Sequence, residues 1–123
     1  MQILIVDNSQ TTLTTLRELL TGYGYDVISA KNGKEGLDLL EQNPACRMVV
    51  SGWEMSEMNG VEFCKAVREK KNYIYFMFLT AYSGTNVVHG LDVGADDFIP
   101  KNYDPAEFLA RLRVGMRIIS LIK

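Results

Sequence analysis

The chain has little of what a metal centre, a disulfide framework or a membrane span requires. It has two cysteines and one histidine in 123 residues, and no second ligand lies at metal-binding spacing from Cys46, Cys64 or His89, so both cysteines are expected to be free thiols. No apolar stretch approaches the roughly 20 residues of a bilayer span, and the start at Met1 has neither the basic nor the apolar segment of a signal peptide. We therefore expect a cytoplasmic chain with no membrane partner.

An excess of charge of one sign is also lacking. The formal net charge is -2 and 23% of the residues are charged, which argues against a surface that binds a polyanion, so direct binding of nucleic acid is not expected. The sequence contains no internal repeat and no low-complexity segment. Its length fits one domain that buries a substantial core. Residues 1–123 are therefore expected to form a single domain.

Two hydrophobic periods alternate along the chain, as in βαβ units. Continuous apolar runs predict five strands at residues 3–6, 27–30, 48–51, 75–80 and 98–100. The last strand is expected to be short and at an edge of the sheet, because Pro100 cannot donate to a central ladder. Right-handed crossovers then favour an α/β fold, a flavodoxin-like doubly wound sandwich of five βα units with parallel strand order 2-1-3-4-5.

Capping residues and apolar stripes predict the five helices that alternate with these strands. The first begins after Asn8 or Ser9 as N-cap, and the last has Asp104 as N-cap and Pro105 at its first position. The others are predicted from Asn32-Gly33 to before Asn43, from near Gly60 to the basic residues 68–71, and weakly around Val87, Val88 and Leu91.

Polar residues and one glycine follow the carboxyl ends of the predicted strands. They are Asp7, Asn8, Ser51, Gly52, Thr80, Ala81 and Lys101. Ligands of an open parallel sheet bind outside the carboxyl ends of its strands, so these residues form the candidate site. An acid, an amide, a hydroxyl and an amine suit a phosphoryl group or a small anion near a cation. Gly52 offers no side chain that could take a phosphoryl group covalently.

Five segments occur in a characteristic order on these strand tips. They are residues 3–6 followed by Asp7-Asn8, residues 53–60, residues 79–81, residues 94–98, and Lys101. Together they resemble the receiver domain of bacterial two-component response regulators, and the resemblance spans almost the whole chain. It implies transfer of a phosphoryl group from a histidine kinase to an aspartate at the tip of the third strand, with Mg²⁺ bound by neighbouring acids. Counting back from Asn59-Gly60 places that aspartate at position 52, which is Gly52 here.

This departure predicts a pseudo-receiver, because the implied reaction needs a carboxylate nucleophile. The degenerate phosphorylation pocket comprises Asp7, Asn8, Gly52, Glu54, Thr80, Ala81 and Lys101. Asn8 stands where a second acid is common in the family, so Asp7, Asn8 and Glu54 would make a weak Mg²⁺ site at best, since divalent cations favour several carboxylates. No other cofactor is expected. With fewer acids nearby, Lys101 is expected to form a structural ion pair with Asp7.

The resemblance also implies how a signal would leave the pocket. Thr80 and Phe98 match the hydroxyl and aromatic switch positions that relay phosphorylation to a face made by the fourth helix, the fifth strand and the fifth helix. We expect an interaction surface there that includes Phe98, Tyr103, Met116 and Ile119. The last helix is apolar on more than one face, which indicates a homodimer contact or continuation into a downstream effector domain. Residues 1–123 are therefore expected to be the N-terminal part of a longer protein.

Other functions stay open at this point. One is a phosphorelay receiver whose Gly52 is engineered, or whose chemistry is bypassed through Asp7 or Glu54. Another is an FMN-binding flavodoxin-like protein, which would need a glycine-containing phosphate loop where residues 7–12 have none. No nucleophile and base pair can be proposed, so the chain is not expected to be an enzyme. Trp53, next to position 52, is expected either to cover the site or to contact a partner.

Overall fold

Five strands alternate with five helices in the part of the chain that the structure describes. The computed structural model describes residues 1–81 and 85–122, and the side chains of residues 85 and 86 are outside the description. The elements are β1 Gln2–Val6, α1 Gln10–Gly22, β2 Asp26–Ala30, α2 Gly33–Gln42, β3 Met48–Ser51, α3 Gly60–Arg68, β4 Tyr75–Thr80, α4 Thr85–Asp92, β5 Asp97–Pro100 and α5 Pro105–Leu121. The order of elements predicted from the sequence is confirmed.

All strands are parallel and the sheet order is β2-β1-β3-β4-β5, as predicted. In this register Val6 lies opposite Ser51 and Ser51 lies opposite Phe78. The last residues of β4 and β5, Thr80 and Pro100, are also partners. The carboxyl ends of β1, β3, β4 and β5 are therefore adjacent, and the residues that follow them share one end of the sheet.

Both faces of the sheet are buried. Because side chains alternate along a strand, Ile3 and Ile5 of β1 pack in a cluster with α1 and α5 residues such as Phe108. Leu4 and Val6 pack in a second cluster with residues such as Phe63 of α3. Helices on both sides of a parallel sheet explain why its strands are continuous apolar runs.

Side-chain caps start four of the helices. Ser9 accepts a hydrogen bond from the amide of Thr12 at the start of α1, and Asn32 accepts one from Glu35 at the start of α2. The start of α3 has a reciprocal capping box between its N-cap residue and the third helical residue. Asp104 caps α5 as predicted. These caps satisfy backbone amides that have no partner within the helix.

The apolar residues of α4 do not all face the core. The helix exists where it was predicted, but Val88 is 66% exposed and Leu91 is 44% exposed. Contact with the sheet is instead made at Gly90, where an added Cβ would lie 2.9 Å from the ring of Phe98. The absence of a side chain at Gly90 lets β5 approach α4 closely. The apolar side chains of Val88 and Leu91 remain exposed on the helix surface.

Both cysteines are buried free thiols, as predicted. Burial raises the pKa of Cys64 to about 11, so the thiol is neutral at ordinary pH. Among the described helices, none is long and apolar enough to cross a membrane.

Candidate functional site

A cleft of about 170 Å³ lies at the carboxyl end of the sheet. Its lining residues are Asp7, Asn8, Gly52, Trp53, Glu54, Leu79, Thr80, Ala81 and Lys101. These include all seven residues of the pocket predicted from the sequence. The fold therefore brings together residues that follow β1, β3 and β5 with residues at and after the end of β4, although they are far apart in the chain.

Asp7 and Lys101 form the ion pair predicted from the sequence. The Lys101 ammonium lies 3.2 Å from Oδ1 and 3.1 Å from Oδ2 of Asp7. The amide of Ser9 also donates to Asp7 Oδ1 at 2.8 Å. The Asp7 side chain is only 2% exposed, whereas that of Lys101 is 32% exposed. Both oxygens of the buried carboxylate are thus engaged and its charge is compensated within the chain.

Gly52 lies directly against this ion pair. Its amide donates to the carbonyl oxygen of Val6 at 2.8 Å, and its φ is not positive, in contrast to that of Gly24 or Gly94. The backbone therefore does not require glycine at position 52. A Cβ added to Gly52 would lie 2.8 Å from Oδ2 of Asp7, which is too close for an unshifted neighbour. The Asp7 carboxylate occupies the space into which a side chain at position 52 would extend.

The loop between β3 and α3 is held by close backbone contacts. The amide of Gly60 donates to the carbonyl oxygen of Trp53 at 2.8 Å, and the amide of Gly33 donates to that of Met58 at 3.1 Å. A Cβ on Gly60 would collide with the carbonyl oxygen of Gly52. The tip of β3 is therefore fixed by the start of α3, and the loop between them is anchored to the start of α2.

Trp53 connects the cleft to α4 and β5. Its ring centroid lies 4.9 Å from that of Phe78, 5.7 Å from His89 and 5.8 Å from Phe98. These tilted and edge-on arrangements are the favoured ones for aromatic pairs. Trp53 thus lines the cleft and packs within the chain, and its role as a cover of the site or as a partner contact stays a prediction.

Thr80 and Phe98 lie at the positions expected for the switch pair. Thr80 is the last residue of β4, is 2% exposed and lines the cleft. Phe98 lies on β5 and packs against Phe78, with ring centroids 5.7 Å apart. An aromatic contact therefore continues from the cleft wall at Trp53 to the outer strand of the sheet. The switch role of the two residues stays a prediction.

The arrangement is a poor fit for a magnesium ion. No group of three or more His, Cys, Asp or Glu side chains that could hold a metal occurs among the described residues. Asp7 is the buried carboxylate of the cleft, and the Lys101 ammonium already compensates its charge. Asn8 and Glu54 are exposed at the rim. Mg²⁺ is favoured by negatively charged oxygen ligands, and the Lys101 ammonium weakens what the buried Asp7 carboxylate can offer it.

The four residues predicted for the interaction surface are only partly exposed. Phe98, Tyr103, Met116 and Ile119 each pack against one of the two core clusters. Burial raises the pKa of Tyr103, whose ring lies 4.9 Å from that of Phe108. The strongly exposed apolar residues of α4 and α5 are Val88, Leu91, Val114 and Leu121. The exposure of Val88 and Leu91 was not predicted, because the sequence shows that they are apolar but not which side of α4 faces water.

A family model and curated relatives match almost the whole chain. The model, described as the response regulator receiver domain, matches residues 3–113. The response regulator MprA of Mycobacterium sp. (strain KMS) is 36% identical over 117 residues, which cover 94% of this chain and 50% of MprA. The chemotaxis protein CheY homolog of Campylobacter jejuni subsp. jejuni is 35% identical over 109 residues, 85% of this chain and 84% of the homolog. The chain thus spans about half the length of MprA.

Solved structures show the same fold. The response regulator receiver domain protein (CheY-like) from Methanospirillum hungatei JF-1 is similar with a TM-score of 0.88 and 26% identity, over 97% of this chain and 95% of that one. The chemotaxis response regulator CheY4 of Vibrio cholerae has a TM-score of 0.82 and 29% identity, over 91% of this chain and 95% of its own. The flavodoxin-like fold predicted from the sequence is confirmed.

Proposed function

Because this chain belongs to the response regulator receiver domain family, we propose that it is a pseudo-receiver, which acts in two-component signalling through protein contacts without accepting a phosphoryl group at position 52. The observation that carries the proposal is Gly52 at the tip of β3, with the Asp7 carboxylate in the space beside it. Glycine has no nucleophilic side chain, and covalent phosphoryl transfer to a protein requires one.

The ion pair between Asp7 and Lys101 supports the same proposal. In a site that takes a phosphoryl group, cations stabilise the charge of the incoming oxygens. Here the Lys101 ammonium contacts both oxygens of Asp7, so a cation and an anion of the cleft neutralise each other. In the proposed function the cleft binds Mg²⁺ weakly and has no catalytic activity of its own.

The proposed output surface is the face formed by α4, β5 and α5. The exposed apolar residues Val88 and Leu91 of α4 and Val114 of α5 lie on the two helices of this face. Phe98 and Tyr103 lie on or beside β5 between those helices. The partner is a second copy of the chain or another signalling protein. Since the chain spans about half of MprA, an effector domain in the same polypeptide is a further partner of this kind.

The direct test of the pseudo-receiver proposal is the intact mass of the chain after incubation with acetyl phosphate and Mg²⁺. We expect the mass to stay unchanged, because no acceptor carboxylate stands at position 52. A stoichiometric gain of one phosphoryl group would overturn the proposal. Peptide mapping would then start with Asp7 and Glu54, the acceptors of the bypass alternative.

Val88→Asp tests the output surface. If this face carries a homodimer, the charged side chain on an apolar contact should weaken self-association about tenfold or more in sedimentation velocity. Tyr23→Asp is the matched control, because Tyr23 is similarly exposed, at 61% against 66% for Val88, and lies at the end of α1. Equal effects of the two variants on self-association would exclude this face as the dimer contact.

A further inference from the structure

A second and larger cleft, of about 340 Å³, opens at the opposite end of the sheet. It lies between the end of α2 and the end of α3, beside the residues that lead into β3 and β4. Its lining residues are Leu40, Glu41, Pro44, Cys46, Arg47, Lys70, Lys71, Asn72 and Ile74. None of them belongs to the cleft at Gly52. Its volume lies within the range of small-molecule sites, which begins at about 300 Å³.

The charges around this cleft are predominantly positive. Arg47, Lys70 and Lys71 are cationic, and Glu41 is the acid among the lining residues. Lys70 and Glu41 are 4.0 Å apart and the Glu41 side chain is 77% exposed, so solvent screens the pair and little energy holds it together. A cleft with an excess of cations, on a chain whose net charge is -2, attracts an anionic ligand.

The floor of the cleft is apolar and uncharged. Leu40, Cys46 and Ile74 are buried there, at 4%, 2% and 4% exposure. The Cys46 thiol donates weak hydrogen bonds to the carbonyl oxygens of Gln2 and Met48, and burial raises its pKa. A ligand that fits this floor has an apolar body, because a charged group pressed against it would lose water without gaining a partner.

We propose that this cleft binds a small organic dianion, a molecule with two carboxylate or phosphate groups on an apolar body. The cations stand on two walls, with Arg47 just before β3 and Lys70 and Lys71 after the end of α3. A guanidinium binds planar oxyanions through two parallel hydrogen bonds, and the lysines act as mobile point charges. In the proposed complex one anionic group pairs with Arg47 and the other with Lys70 and Lys71, while the apolar body covers the floor.

The lysines have another physical role that the test must separate from binding. Cations near the end of a helix stabilise its carbonyl end, and Lys70 and Lys71 follow Glu69, the C-cap residue of α3. That role predicts changes in stability when they are neutralised and no effect of Glu41 on any ligand. Binding of an anion instead predicts that neutralising a lysine lowers the affinity for the ligand and that neutralising Glu41 raises it.

The probe is phthalate, which carries two carboxylates on a benzene ring, titrated into the whole ¹⁵N-labelled chain. We expect saturable shifts of the amide resonances of Arg47 and residues 70–72, with those of Asp7 and Gly52 unchanged. Phthalamide, the uncharged diamide, should give no shifts. Shifts from phthalamide of the same size, or no saturable shifts from phthalate, would overturn the proposal. This readout does not depend on whether the chain is phosphorylated.

Neutralising cationic and anionic residues in turn tests whether the charges around the cleft determine binding. Lys71→Gln and Arg47→Gln should each weaken phthalate binding about two- to fivefold, and Glu41→Gln should strengthen it by a similar factor. Lys65→Gln is the matched control, since Lys65 is exposed on α3 and does not line the cleft. If Lys65→Gln changes the affinity as much as Lys71→Gln does, the cleft has no specific role and the proposal fails.

Two further probes decide what kind of anion is bound. Inorganic pyrophosphate has the charge without the apolar body, and it should bind more weakly than phthalate. A short peptide with the sequence Glu-Leu-Glu, acetylated and amidated at its ends, carries two carboxylates on a protein segment. Binding of either probe at least tenfold more tightly than phthalate would overturn the assignment to a small organic dianion.

Discussion

Gly52→Asp is expected to gain one phosphoryl group from acetyl phosphate in the presence of Mg²⁺, under conditions in which the native chain gains none. The substitution places a carboxylate at the tip of β3, next to Asp7 and within the cleft that Lys101 lines. Two adjacent carboxylates make a better oxygen site for a divalent cation than Asp7 alone, and one of them is the missing nucleophile. Intact-mass spectrometry of the two chains side by side measures the difference.

The same substitution should destabilise the chain when Mg²⁺ is absent. The added Cβ would lie 2.8 Å from Oδ2 of Asp7, so Asp7 must move, and displacement in a packed site costs about 1–3 kcal/mol. The new carboxylate also repels Asp7, because the single Lys101 ammonium cannot compensate both charges. We expect Mg²⁺ to recover part of this loss in urea unfolding of Gly52→Asp and to leave the native chain unchanged.

Two further variants, Gly52→Ala and Gly52→Asn, separate the steric cause of this destabilisation from the electrostatic one. Alanine adds only the Cβ contact, and asparagine adds the shape of aspartate without its charge. The free energy of unfolding should fall in the order Ala, Asn, Asp without Mg²⁺, and only the Asp variant should respond to the ion. An equal response of Asn and Asp, or of the native chain, would show that repulsion between carboxylates is not the cause. If no variant gains a phosphoryl group, the cleft lacks more of what phosphorylation requires than the nucleophile alone.

Lys101→Met is expected to lower the free energy of unfolding by about 3 kcal/mol. Methionine keeps most of the apolar stem of the side chain but removes the ammonium that contacts both oxygens of Asp7. The carboxylate is 2% exposed, so it is left charged and buried, and among the described residues the amide of Ser9 is the hydrogen-bond donor that remains. Removing one partner of a fully buried pair costs about 3–5 kcal/mol, and the partial exposure of Lys101 places this case at the lower end.

Asp7→Asn should cost less, about 1 kcal/mol. Asparagine still accepts the hydrogen bond from Ser9, and the Lys101 ammonium, whose side chain is 32% exposed, can turn toward water. The double variant should be more stable than Lys101→Met alone, because no buried charge remains. Urea unfolding of the four chains completes a double-mutant cycle. Equal losses of unfolding free energy in the two single variants would contradict this prediction, which rests on the deeper burial of Asp7.

Much of the fold followed from local patterns. β3 and β4 have the predicted bounds because their side chains are all buried, and burial on both faces produces uninterrupted apolar runs. The sequence allows Asn8 or Ser9 as the N-cap of α1, and the hydrogen bond from the amide of Thr12 to the Ser9 side chain shows that Ser9 is the N-cap. The predicted surface on α4 was incomplete, because its short pattern does not show that Gly90, rather than Val88 or Leu91, makes the contact with β5.

The sequence by itself determined the family, the order of the elements and the glycine at the tip of β3, since each depends on residue type and spacing along the chain. It also indicated that Asp7 would pair with Lys101, although the two residues are 94 positions apart. Only the tertiary structure decided that the Asp7 carboxylate lies in the space beside Gly52, that Trp53 packs toward β5, and that Arg47 and Lys71 line one cleft. These features are distances between side chains of different elements. Packing on the two faces of the sheet sets such distances, and no local sequence pattern contains them.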